Sequence, residues 1–89
     1  MEYNVLRAKR AGYGYTTGEV GDALGMAGMT YARKELHPNR FTDVEKVMVS
    51  KFLHFTPAEM NEYLYGGILP IKADAVWEDA PKSVTVSFD

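Results

Sequence analysis

Between residues 16 and 37 the apolar positions fall into two helical runs separated by a single break. Val20, Ala23 and Leu24 share one face of a helix over residues 17–24, and a second pattern runs over residues 27–36. So short a gap admits only helix, turn, helix. Gly25 stands where the first run must stop, and glycine accepts the left-handed conformation needed there. Gly21 sits in mid-helix, where glycine costs about 1 kcal/mol relative to alanine, and so predicts a close approach of the two helices. Met26 and Tyr31 read as core, with Lys34 or Leu36 continuing their side. Met29 fits a core role and a ligand-facing role equally.

The flanking patterns add three helices. Residues 5–11 form the first, with Val5 and Leu6 inward and Arg7, Lys9 and Arg10 outward. Gly12 and Gly14 break it, and Tyr13 and Tyr15 are expected as half-buried plugs. Thr16 or Thr17 caps the second helix, with Glu19 closing a capping box on Thr16. Pro38 ends the third. Thr42 and Glu45 open a fourth helix whose inward stripe is Val44, Val47, Met48, Lys51 and Phe52, ending near Leu53. Thr56, Pro57 and Glu59 open a fifth through Met60, Tyr63 and Leu64, which Gly66 and Gly67 stop.

After Gly67 the pattern changes. Residues 68–77 are apolar-rich but interrupted by Pro70, and residues 83–88 alternate with period two, as a half-buried strand does. A hairpin of residues 71–77 against 83–88, turning through 78–82, is expected. It needs a surface, either the helices or a second copy, because an isolated hairpin is marginal in water. The chain thus divides into a helical unit, 1–67, and an extension, 68–89.

Composition narrows the chemistry. With 89 residues and no cysteine, the chain is long enough for one modest core and has neither a disulfide framework nor a thiolate metal site. No apolar run resembles a signal peptide or membrane span, so a soluble cytoplasmic protein is the expectation. His37 and His54 have no third ligand placed to make a metal site. The carboxylates are scattered, no Ser-His-Asp arrangement is suggested, and Gly12-x-Gly14 lies between helices rather than after a strand. No catalytic residue and no cofactor is expected. The net charge is −2, yet residues 1–40 carry six cations against four carboxylates, and residues 41–89 four against eight. The helix-turn-helix half is the basic one, and a phosphate backbone would approach that end.

Five short helices with the helix-turn-helix second and third resemble the phage-repressor family of Cro-like or Xre-like DNA-binding domains. The resemblance covers about residues 3–66. It is carried by Thr16-Thr17-Gly18-Glu19-Val20, by Ala23-Leu24-Gly25-Met26 through the turn, and by Thr30-Tyr31-Ala32-Arg33-Lys34-Glu35, followed by an Asn-Arg loop and the apolar fourth helix. The family's usual small residue in the second helix is alanine, where this chain has Gly21. The implied fold is mainly α, a five-helix phage-repressor-like domain with a short C-terminal β-hairpin.

The resemblance implies that the third helix enters the major groove of duplex DNA. Gly28, Met29, Thr30, Ala32 and Arg33 would then face base edges, after Ala27 at the helix start. Thr17, Lys34, Asn39 and Arg40 would hold phosphates. Only Arg33 among the base-facing residues can read a base bidentately, and Ala27, Gly28 and Met29 are limited to thymine methyl groups. The function implied is that of a small phage or prophage-type transcriptional regulator, with a homodimer through residues 68–89 as a further expectation. The alternative, suggested by the sparse base-reading set and the negative net charge, keeps the scaffold as a protein-interaction module. Its working surface would be Trp77, Val84, Val86 and Phe88.

Overall fold

The computed structural model describes residues 4–78 and 85–86, with side chains through residue 77. Five α-helices are present among the described residues: α1 (Val5–Gly12), α2 (Thr17–Leu24), α3 (Gly28–Leu36), α4 (Asp43–Phe52) and α5 (Pro57–Leu64), with a 3-10 turn over Pro38–Arg40. The protein is thus mainly helical. None of these helices is long and apolar enough to cross a membrane.

Local chemistry sets the helix ends. Thr16, Thr42 and Thr56 each accept the amide of the glutamate three residues on, and Glu19, Glu45 and Glu59 each reach back to the threonine amide. These reciprocal bonds satisfy donors that have no partner within the helix. Asn4 caps α1 in the simpler way, accepting from the Arg7 amide. Gly25, at φ 77°, closes α2 while the amides of Gly25 and Met26 return to the carbonyls of Asp22 and Gly21. The same pair of bonds closes α4, but there His54 occupies the left-handed position at φ 62°, its ring 5.0 Å from that of Tyr13.

The core gathers Leu6 of α1, Val20 and Leu24 of α2, Tyr31 of α3, Val49 of α4, and Met60 and Leu64 of α5, closed by Phe41, Leu53 and Phe55 from the connections. Helix α2 packs on both α3 and α4, and α4 packs on α5. A Cβ at Gly21 would lie 2.9 Å from the Met26 carbonyl oxygen, and one at Gly28 would lie 2.9 Å from the Gly18 Cα. The α2–α3 crossing is therefore a backbone-to-backbone contact, the close approach that Gly21 predicts.

Several positions differ from the periodicity. The buried residues of α4 are Val49 and Ser50, not the stripe expected from Val44; Val44 is exposed, and Val47, Met48, Lys51 and Phe52 are only partly covered. Apolar residues cover more than half the circumference of α4, so its pattern could not choose an edge, and packing against α2 and α5 chose one. Of Lys34 and Leu36, either of which could continue the core side of α3, Lys34 is half-buried and Leu36 is 63% exposed, and Arg10 turns inward rather than outward. Tyr15 packs against Phe52 at 4.8 Å as a plug should, while Tyr13 is 47% exposed, its ring set against those of Tyr15 and His54.

Beyond α5 the chain is strapped to the helices. The buried Asn61 side chain donates to the Leu69 carbonyl and accepts its amide, both at 3.0 Å. The Trp77 indole N–H donates to the Phe55 carbonyl at 2.6 Å. The strand expected over 71–77 does not form along its length. The Ile71 amide bonds the Leu69 carbonyl around Pro70, and the Ala75 amide bonds the Lys72 carbonyl, so this segment turns twice where an extended strand was expected. What pairs is β1 (Trp77–Glu78) with β2 (Thr85–Val86), antiparallel, with Trp77 opposite Val86. The turn over 79–82 and positions 83, 84, 87 and 88 of the expected second strand lie outside the described residues.

Candidate nucleic-acid interface

Helix α3 presents its free edge because its other side is fully used. Tyr31 is completely buried, and Glu35, one turn later on that side, is buried with it. Their burial turns Met29, Thr30, Arg33 and Leu36 to solvent. Met29, Arg33 and Leu36 follow at i, i+4 and i+7, forming one exposed stripe. Arg33 makes no ion pair among the described residues, nor does Arg40 in the turn that follows.

Each residue expected at the site has a definite place. Met29 is 69% exposed, which decides its two roles in favour of the surface. Thr30 and Arg33 are exposed beside it. Ala32 is half-buried, and so is Gly28, whose Cα faces the Gly18 backbone at the helix crossing. Thr17 is the first residue of α2 and half-buried, while Thr16 takes the capping role. Asn39 and Arg40 are exposed in the 3-10 turn. Lys34 is engaged elsewhere: its ammonium lies 2.6 Å from Glu45 Oε1, the oxygen that also accepts the Thr42 amide. Lys34 first, and then the Thr42 amide, hold the Glu45 carboxyl below the usual carboxylate range.

The start of α3 differs from that of the other four α-helices. Ala27, in the capping position, has no side-chain acceptor, so the first-turn amides of α3 carry no side-chain cap. The aligned peptide dipoles give that end a partial positive charge. Against this, Glu19 and Asp22 are exposed carboxylates on α2.

The pair that fixes α3 against α1 was missed in the sequence. Arg10 Nε and Nη2 bond Glu35 Oε2 and Oε1 at 2.7 and 3.1 Å, and Arg10 Nη1 bonds the Tyr15 carbonyl at 2.9 Å. Asn4 Nδ2 bonds the Glu35 carbonyl at 3.0 Å. The hydrogen-bonded Glu35 carboxylate raises the Arg10 pKa, while burial and then the Glu35 charge push the Tyr31 phenol upward. The signal was available: Glu35 stands four residues after Tyr31 and so shares its inward side.

The arrangement can offer one bidentate cation, a hydroxyl, a thioether and an uncapped helix start to a polyanion. Among the described residues no group of three His, Asp or Glu is placed to hold a metal ion. No family model, curated protein or solved structure matches this chain.

Proposed function

We propose that the chain is a small helix-turn-helix regulator of phage-repressor type that binds duplex DNA through α3. The observation that carries this reading is the free edge of α3, where Arg33 stands exposed between Met29 and Leu36 with no ion-pair partner among the described residues, and Arg40 follows. In the major groove Arg33 would donate to the O6 and N7 of a guanine, Thr30 would bond a base edge, and Met29 would contact a thymine methyl. Ala32 would allow the groove wall to come close, whereas Gly28 is turned to the Gly18 backbone of α2 and leaves the base-facing set. Thr17, Asn39 and Arg40 would hold phosphates, together with the uncapped amides of α3. Lys34 would join them only by leaving Glu45. Gel-shift titration of genomic fragments over a salt series tests the reading: duplex is retained at low salt and released as salt rises. Absence of any retained duplex at low salt defeats it.

A second reading, a protein-interaction module on the same scaffold, draws on the Lys34–Glu45 pair and the exposed Glu19 and Asp22, all of which lessen the positive field around α3. Its surface would be the C-terminal hairpin, with Trp77, Val84, Val86 and Phe88. Ending the chain after Gly67 separates the readings. A truncated protein that folds and binds DNA but no longer self-associates assigns the extension to dimer formation, and loss of folding assigns it to the core.

A further inference from the structure

Glu45 is the third residue of α4, and its Oε1 accepts the Thr42 amide at 2.9 Å as half of the capping box. The same oxygen accepts from the Lys34 ammonium at 2.6 Å. The cap does not require that second bond. Glu19 and Glu59 close the same box on α2 and α5 with no cation bonded to either carboxylate among the described residues. Because the backbone holds Glu45 in place, the flexible lysine of α3 is drawn to the carboxylate rather than the reverse.

The contact changes what α3 offers to an anion. Arg33, Lys34 and Arg40 are the cations of α3 and the turn after it, and only Lys34 is held by a carboxylate. The Lys34 and Glu45 side chains are 20% and 22% exposed, so a phosphate oxygen can compete for the ammonium without unpacking the helices. A phosphate and a carboxylate ask the same thing of a lysine, one charge-assisted bond, and Lys34 cannot neutralise both. Resting on the DNA-binding reading, we infer that Glu45 limits the DNA affinity of this chain by acting as an internal competitor of the phosphate backbone for Lys34. Glu45 is thus a positioning residue that works through Lys34. Its effect is the same for every base sequence, because a phosphate contact carries no sequence information.

Fluorescence anisotropy of a short labelled duplex of arbitrary sequence, titrated over a salt series, tests it with Glu45→Gln, Lys34→Ala and the double variant. Glutamine keeps the capping box and removes the charge, and circular dichroism checks that each variant is folded. Glu45→Gln is expected to bind about three- to tenfold more tightly at low salt and to steepen the salt slope by about 0.9, the value of one further phosphate contact. A merely structural role for Glu45 would not move that slope. Lys34→Ala weakens binding by about threefold or less in the native background and by about tenfold or more in the Glu45→Gln background. Glu19→Gln, the same exchange at a box with no bonded cation, controls for net charge and leaves the Lys34→Ala factor at its native value. Equal Lys34→Ala factors in the native and Glu45→Gln proteins overturn the inference, as does a Glu19→Gln gain as large as that of Glu45→Gln. In both of those outcomes the native protein still binds duplex, so the DNA-binding reading survives. If neither the native protein nor Glu45→Gln retains duplex at low salt, that reading fails and the inference falls with it.

Discussion

Arg10 holds both carboxylate oxygens of Glu35 across 25 residues of sequence, with the two side chains 15% and 5% exposed. This fork joins α1 to the inward face of α3 and thereby sets which edge of α3 meets solvent. Removing one partner leaves an uncompensated charge in a site largely screened from water. Glu35→Ala is expected to lose about 3–5 kcal/mol of stability. Replacing both with apolar residues of similar volume, as in Arg10→Met with Glu35→Leu, should cost far less. Urea denaturation of the three proteins checks this, and equal losses in single and double variants would show that the pair is not the source.

Gly21→Ala separates helix propensity from packing. Alanine gains about 1 kcal/mol within α2. Its Cβ, however, would meet the Met26 oxygen at 2.9 Å and the Ala27 oxygen and Gly28 Cα at 3.2 Å, all backbone atoms that cannot rotate aside. A net loss of about 1–3 kcal/mol is expected. A variant more stable than the native chain would mean that the α2–α3 crossing is looser than described.

Asn61 tests the attachment of the extension. Asn61→Ala removes both bonds to Leu69 and leaves a part-buried amide and carbonyl without partners, at about 1–3 kcal/mol. Trp77 is the single tryptophan and half-buried, so its fluorescence should shift to longer wavelength and unfold earlier in urea than the helical signal. Coincident transitions would instead place the extension within the cooperative core.

The Glu45 carboxyl gives a pH dependence of known sign. Its folded pKa is lowered, so the stability that it supplies is complete above its unfolded value, near 4.5, and is lost as pH falls toward the lower folded value. Glu45→Gln should flatten the acid limb of the stability–pH curve below about 4.5 and be least stable relative to native at neutral pH. Parallel native and variant curves through that window would contradict the Lys34–Glu45 contact.

The proposed DNA contacts divide by chemistry. Arg33→Ala should reduce specific binding by about 1–3 kcal/mol and leave non-specific binding nearly intact. Arg40→Ala should weaken both and reduce the salt slope by about 1. Lys34→Ala should change the slope less than Arg40→Ala, since its ammonium is already neutralised by Glu45. Fluorescence anisotropy against salt concentration measures all three. Indistinguishable slopes for the Lys34 and Arg40 variants would show that Lys34 leaves Glu45 on binding.

The sequence by itself determined what depends on neighbours in the chain. The helix starts at Thr16, Thr42 and Thr56 and the stop at Gly25 are short-range bonds between residues at most a few positions apart, and all are present as the spacing dictates. Gly21 foretold the tight crossing for the same reason, because its cost within a helix is local. Only the tertiary structure decided the rotation of each helix about its axis. Val44 or Val49 could have faced inward on the apolar fourth helix; Arg10 and Glu35 became buried because each is the other's partner; and Lys34 was withdrawn from the free edge of α3 by a glutamate 11 residues away. Burial of a charge depends on what lies opposite it in space, and that is fixed when the helices meet.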